Sequence, residues 1–218
     1  MIPLPTTSGG FGVVLADPAY DFETWSRRGQ GKSPSQHYGT MTVERICRLP
    51  VPDIAAKDSV LFLWIPFPHI FRAPEIIDYW GYRYSGLAWV WLKFNPITNE
   101  APIGCGLGGT RKNLEPCLLT RRGQPKARNS STRDLLDFYL PDSPDLPTAI
   151  ASPRREHCRK PDAQYELIEK LFPGPYVELF ARHSRVGWQA WGNELTTRAG
   201  AESAGESADM EESHADNV

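Results

Sequence analysis

The stretch Asp17-Pro18-Ala19-Tyr20 sets a carboxylate, a ring-locked residue and an aromatic side by side, directly after the apolar run Val13-Val14-Leu15. That combination suits chemistry on an exocyclic amine. The lone pair of such an amine on a base is delocalised into the ring and is a poor nucleophile. Two acceptors on its hydrogens favour a more tetrahedral nitrogen and aim the lone pair outward. A carboxylate and a backbone carbonyl one residue later can supply them, proline fixes φ without adding a competing N–H, and an aromatic can stack on the base. Read alone, the same four residues are more often a strand end followed by a turn, since proline and aspartate are ordinary turn residues.

The elements around the tetrapeptide point to an α/β architecture. A short continuous apolar run fits a fully buried parallel strand, and ligands gather at the carboxyl ends of such strands. Ser59–Pro66 is a second strand, residues 71–80 a helix ended by Gly81, and residues 86–92 a third strand. Strand, helix and strand within this span make a βαβ unit and an at least partly parallel sheet. Thr42 is placed to cap a short helix that turns Val43, Ile46 and Leu49 to one side. Residues 115–120, 148–152, 176–181 and 188–191 read as further strands. Residues 162–172 read as a helix stopped at Gly174, and residues 134–139 as one more short helix. Gly104-x-Gly106-x-x-Gly109 spells a dinucleotide motif but opens no helix, so residues 103–113 read as a flexible lid.

The chain has 218 residues and a net charge of −2. Residues 196–218 hold six acids and one base, so 23 Lys+Arg face 20 Asp+Glu in residues 1–195. We therefore expect one domain over residues 1–195, mildly basic, and a disordered acidic tail over 196–218. A basic body is compatible with a nucleic-acid partner. The four cysteines form no C-x-x-C pair, which argues against structural zinc and suits a reducing compartment. No apolar run is long enough to span a membrane, and residues 1–10 lack the pattern of a signal peptide. A soluble, cytoplasmic protein is expected.

A second group of residues suggests a ligand cleft. Lys160 precedes a helix, where a carboxylate could be held with help from helix N-terminal N–H groups. Glu178 lies inside an apolar strand, so it should be paired or liganded. Asn193 and Glu194 follow a strand and could hold ribose hydroxyls. Arg27, Arg28 and Lys32, with Arg154 and Arg155, are candidate phosphate contacts.

With these residues in view, the chain resembles the MT-A family of S-adenosylmethionine-dependent N6-adenine methyltransferases. The family is named for the cofactor-binding subunit of the mRNA methylase. Its phage and bacterial members are taken as DNA adenine methylases. The likeness covers most of residues 11–194. It rests on residues 13–20, 38–42, 61–64, 159–161, 173–175, 178–182 and 191–194, in that order. It implies a Rossmann-like fold with a mixed, mostly parallel sheet flanked by helices, and the permuted motif order of the β class, with the catalytic tetrapeptide first. It further implies S-adenosyl-L-methionine as cofactor, no metal, and a nucleic-acid substrate, DNA rather than RNA. An RNA N6-adenosine methyltransferase and a non-catalytic nucleic-acid-binding subunit are the alternatives, and a homo- or hetero-dimer stays open. By this likeness Asp17, Pro18, Ala19 and Tyr20 are catalytic, and Asp17, Lys160, Glu178, Arg182, Asn193 and Glu194 hold the cofactor. Tyr20, Tyr38, Arg27, Arg28 and Trp64 face the substrate, Tyr38 from a loop that moves over the site. Ala19 departs from the family's second proline, and the segment 183–187 is shorter than in eukaryotic members.

Overall fold

The computed structural model describes residues 2–21, 40–95, 97–98, 114–128, 149–153, 159–193 and 195. The expected lid at 103–113, the helix at 134–139 and the tail at 196–218 lie outside them. Seven strands form one sheet: β1 (Phe11–Ala16), β2 (Ala55–Trp64), β3 (Arg83–Phe94), β4 (Leu114–Arg122), β5 (Ala149–Pro153), β6 (Tyr176–Leu179) and β7 (Trp188–Trp191). Their spatial order is β5-β3-β4-β2-β1-β6-β7. The pairs β1–β2, β1–β6, β6–β7 and β3–β5 are parallel, and β4 alone is reversed, antiparallel to both β2 and β3. The mixed, mostly parallel sheet expected from the sequence is the one observed. The sequence reading did not include the reversal of β4, which wedges between the two strands of the βαβ unit.

Helices cover both faces. On one side lie α1 (Val43–Cys47), α2 (Val51–Ile54) and α3 (Ala73–Tyr79), the last entered through a 3-10 turn at Phe67–Arg72. On the other side lies α4 (Ala163–Leu171). Thr42 caps α1 as expected, its hydroxyl accepting the Arg45 N–H at 3.4 Å, and Val43, Ile46 and Leu49 are all buried.

Because side chains alternate along a strand, β1 divides its residues between two cores. Val14 and Ala16 pack with Leu61, Leu63, Val177 and the α1–α3 layer. Val13 and Leu15 pack with Phe62, Trp64, Trp89, Trp91 and the α4 residues Leu167 and Ile168. Asp17, next in the odd series, is directed toward the α4 side. The continuous apolar run of β1 is thus that of a strand buried on both faces.

Candidate active site

Register brings the polar groups together. Leu15 pairs with Glu178 and Ala16 with Leu63 and Leu179, so Asp17, Trp64 and Glu178 arrive at the carboxyl edge of the sheet on one face. Trp64 pairs with Cys117, and Glu115, two residues earlier on β4, pairs with Trp91. The reversal of β4 therefore places its beginning, not its end, at this edge. Lys93 lies two residues past Trp91 on the same face.

At the centre is Lys160. Its Nζ donates to both carboxylate oxygens of Asp17 at 2.7 Å each and stands 3.2 Å from Glu115 Oε1. The other Glu115 oxygen accepts from Lys93 Nζ at 2.6 Å. Two acids and two bases alternate in a chain, Asp17–Lys160–Glu115–Lys93. Burial alone would lower the Lys160 pKa, but Asp17 and Glu115 outweigh it and hold the ammonium above the ordinary lysine range. Burial likewise opposes charge on Glu115, and Lys160 and Lys93 overcome it, keeping the carboxyl below its usual range. Trp64 lies beneath the cluster, its ring 5.3 Å from Lys160 Nζ and its Nε1 bonded to Gln164 Oε1 of α4 at 2.8 Å.

Glu178 sits one strand away. Tyr165 of α4 donates its hydroxyl to Glu178 Oε2 at 2.9 Å. Burial, aided by the charge of Asp17 and opposed by the Tyr165 hydrogen bond, pushes the Glu178 carboxyl up to about 7. The carboxylate anticipated to be paired in this strand is therefore bonded by the Tyr165 hydroxyl. Directly after it the chain turns at Phe180, which has φ of 65°, a conformation costly for a bulky residue and concentrated at functional sites. Ala181 N–H then bonds the Trp191 carbonyl at 2.9 Å. Gly192 is so close to the Ala181 carbonyl that a Cβ would collide with it. Those contacts clamp the segments carrying Arg182 and Asn193 against each other beside Glu178.

The tetrapeptide crosses the sheet. Tyr20 N–H bonds the Pro18 carbonyl at 2.9 Å, a γ-turn closed around Ala19, and Met41 N–H bonds the Ala19 carbonyl at 2.8 Å. Among the described residues no acceptor is recorded for the Ala19 N–H. The turn sends Tyr20 to the α1–α3 face, where it is 4% exposed. Its hydroxyl donates to the Trp64 carbonyl at 3.1 Å and its ring stacks on His69 at 5.1 Å.

Two residues expected on the substrate side are enclosed. Tyr20, expected to stack on a base, has its ring against the half-buried His69. Trp64 is fully enclosed, with its ring beneath Lys160. Lys160, expected on a cofactor carboxylate, is paired with Asp17 and Glu115. Arg27, Arg28, Tyr38 and Glu194 lie outside the described residues, as do Arg154 and Arg155, so the site assembles Asp17, Lys160 and Glu178 from the expected set, with Arg182 and Asn193 alongside. Glu115, Lys93, Gln164, Tyr165 and His69 were not anticipated. The argument that singled out Glu178, a carboxylate inside an apolar strand, applies equally to Glu115 in Leu114-Glu-Pro-Cys-Leu-Leu119 and would have found it.

Similarity to known proteins agrees with this geometry. Residues 11–194 match the MT-A70 family. The type II methyltransferase M.MunI of Mycoplasma sp is 29% identical over 201 residues, covering 84% of this chain and 77% of the relative. Mouse METTL4, an N(6)-adenine-specific methyltransferase, is 28% identical over 89% of this chain and 40% of its own length. Human METTL3, the N(6)-adenosine-methyltransferase catalytic subunit, is 30% identical over 86% of this chain and 28% of its own length. This chain thus spans most of the first relative and less than half of the other two. With a β1 that runs straight into Asp17-Pro18, a Lys160 that closes on that acid, and a family match running from the first strand to the last, the chain belongs to the MT-A70 family of N6-adenine methyltransferases.

Proposed function

We propose that this chain transfers a methyl group from S-adenosylmethionine to N6 of adenine in nucleic acid, with DNA favoured over RNA. The observation that carries the reading is Asp17, held at the carboxyl end of β1 by two 2.7 Å contacts to Lys160. A carboxylate has about four acceptor positions, so Asp17 can accept an N6 hydrogen while Lys160 holds it. The Pro18 carbonyl has a second lone pair beyond the one taken by Tyr20 N–H and accepts the other N6 hydrogen. His69, backed by Tyr20, forms the aromatic wall, and Tyr38, Arg27 and Arg28 contact the polynucleotide.

S-adenosylmethionine supplies an electrophilic methyl group when bound. The donor set of the site fits this molecule. Asp17 and Lys160 offer opposite charges to an amino-acid ammonium and carboxylate, and Glu178, with Asn193 and Glu194, suits a ribose diol. Arg182 completes the amino-acid side. For Lys160 to receive a carboxylate, its longer contact, the 3.2 Å one to Glu115, is the one to be replaced. The protein's own task is alignment and electrostatics. A base in a duplex has to be flipped out to reach Asp17. The free thiols of Cys47 and Cys117 support a reducing, cytoplasmic setting. In the described residues no helix is long and apolar enough to cross a membrane.

The test is incubation with labelled S-adenosylmethionine and adenine-containing DNA or RNA, followed by nucleoside analysis. We expect N6-methyladenine from wild type and none from Asp17→Ala. Activity surviving that substitution, or N4-methylcytosine as product, overturns the reading. Ala19, where the family has proline, gives weight to a second reading as a non-catalytic binding subunit. Calorimetric titration separates the two, because a degenerate subunit shows no heat with S-adenosylmethionine.

A further inference from the structure

At the opposite end of the sheet two arginines face each other across a ladder. Arg83, the first residue of β3, pairs with Arg121 of β4. Residues directly opposite in an antiparallel pair have Cβ atoms roughly 5 Å apart, and like charges there are destabilising. Both arginines are exposed, and no carboxylate among the described residues pairs with either. Arg122 follows, anchored through Nη1 to the Pro52 carbonyl at 2.8 Å. The three arginines, with Gly81, Gly123 and Gln124, line a hollow of about 330 Å3 with no acid among its described lining residues. A carboxylate beside it, Asp58, shapes the turn: its Oδ1 accepts the Gln124 N–H at 2.7 Å, against Gly123 with φ of 63°. A neighbouring hollow of about 440 Å3 shares Gln124 and Asp58's turn and adds Lys126.

Among the described residues this arrangement lacks its counter-charge. Paired guanidiniums present forked donors that match phosphate oxygens, and an anion between Arg83 and Arg121 removes their repulsion. Along β4, Cys117 is level with Trp64 at the active site and Arg122 is level with Ser59. Five residues of strand cover about 17 Å, which equals roughly five base pairs of duplex axis. We infer that this hollow is a second contact for the polynucleotide, taking a backbone phosphate several nucleotides from the target base. The inference rests on nucleic acid being the substrate and adds an anchoring point away from the catalytic edge.

The test compares wild type with Arg83→Gln/Arg121→Gln in fluorescence anisotropy, using a 30-base-pair duplex and an 8-base-pair hairpin with a central adenine, between 50 and 200 mM salt. For the long duplex we expect affinity to fall about 10-fold and the log–log salt slope to become shallower by about one to two. The hairpin, too short to reach, should bind both proteins alike. The variant should melt at the same temperature as wild type or higher, which removes misfolding as an explanation. Unchanged affinity and slope for the long duplex overturn the inference. So does saturable stabilisation of wild type by inorganic phosphate or AMP together with undiminished duplex binding by the variant, which would mark a free-anion site. If wild type binds neither DNA nor RNA, the substrate reading itself falls, an outcome distinct from the other two.

Discussion

Lys160 Nζ lies 2.7 Å from each carboxylate oxygen of Asp17, a residue 143 positions earlier in the chain. The contact joins the start of α4 to the end of β1 and fixes the rotamer of the acid that the chemistry needs. It also places the ammonium between Asp17 and a second acid, Glu115. Lys160 is in this sense a positioning residue for Asp17.

Replacing that ammonium by an isosteric apolar chain leaves two carboxylates facing each other with no cation between them. Breaking a buried pair by removing one partner costs about 3–5 kcal/mol. Lys160→Met should therefore lose stability on that order in urea unfolding, and Lys160→Met/Glu115→Gln should recover part of it. A stability within about 0.5 kcal/mol of wild type for the single variant would show that solvent, not Lys160, neutralises Asp17.

Asp17→Asn keeps the shape but removes the charge and turns one acceptor into a donor. Turnover should fall at least about 100-fold, the scale of losing a preorganised electrostatic contact, with S-adenosylmethionine affinity changed far less. Single-turnover assays with separate cofactor titration check this. A loss confined to cofactor affinity would place Asp17 on the cofactor alone.

Ala19→Pro should be accepted. The γ-turn closed by Tyr20 N–H and the Pro18 carbonyl is centred on Ala19, whose φ is not positive, so it is the inverse form with φ near −75°, where a proline ring fits. No described group accepts the N–H that would be lost. We expect a gain of about 0.4–1 kcal/mol from the stiffened unfolded chain and equal or faster turnover. A large loss of activity would show that this turn is built differently from the family's.

The Glu178 carboxyl titrates near its ordinary 4.5 when unfolded and is pushed up to about 7 when folded, by burial and by Asp17. Between those values the folded protein holds more protons than the unfolded one. Stability should therefore fall as pH rises from 4.5 through 7 and level off above, by about 3 kcal/mol in all. Glu178→Gln keeps an acceptor for Tyr165 and should flatten that part of the profile. If the deprotonated carboxylate receives ribose hydroxyls, calorimetric affinity for S-adenosylmethionine should strengthen between pH 6 and 8 in wild type and stay level in the variant.

Much of this was legible from the sequence because it depends on local pattern. Continuous apolar runs marked β1 and β2, Thr42 and Gly81 marked helix ends, and a carboxylate amid apolar neighbours marked Glu178. What escaped depends on facing and direction. The run Val60–Ile65 has no alternation, so nothing in it says that Trp64 points into the α4 core. The γ-turn at Ala19 changes the parity of the chain, so the face taken by Tyr20 could not be counted from Asp17. The direction of β4 is set by a connection with no hairpin signature, and with it the arrival of Glu115 beside Lys160.

That reversed strand has a consequence for how the molecule comes apart. Among the described residues β4 is the bridge between two parallel blocks, β5–β3 on one side and β2–β1–β6–β7 on the other. It hydrogen-bonds to both along most of its length. Neither block can separate from the other without stripping one full edge of β4. The backbone amides of Leu118, Leu119 and Thr120 should then be among the last to exchange with deuterium, opening only in global unfolding. β5 and β7, at the two ends of the order, should exchange through smaller, cheaper openings. The strand that delivers Glu115 to one edge and Arg121 to the other is in this way also the seam on which the domain's cooperativity depends.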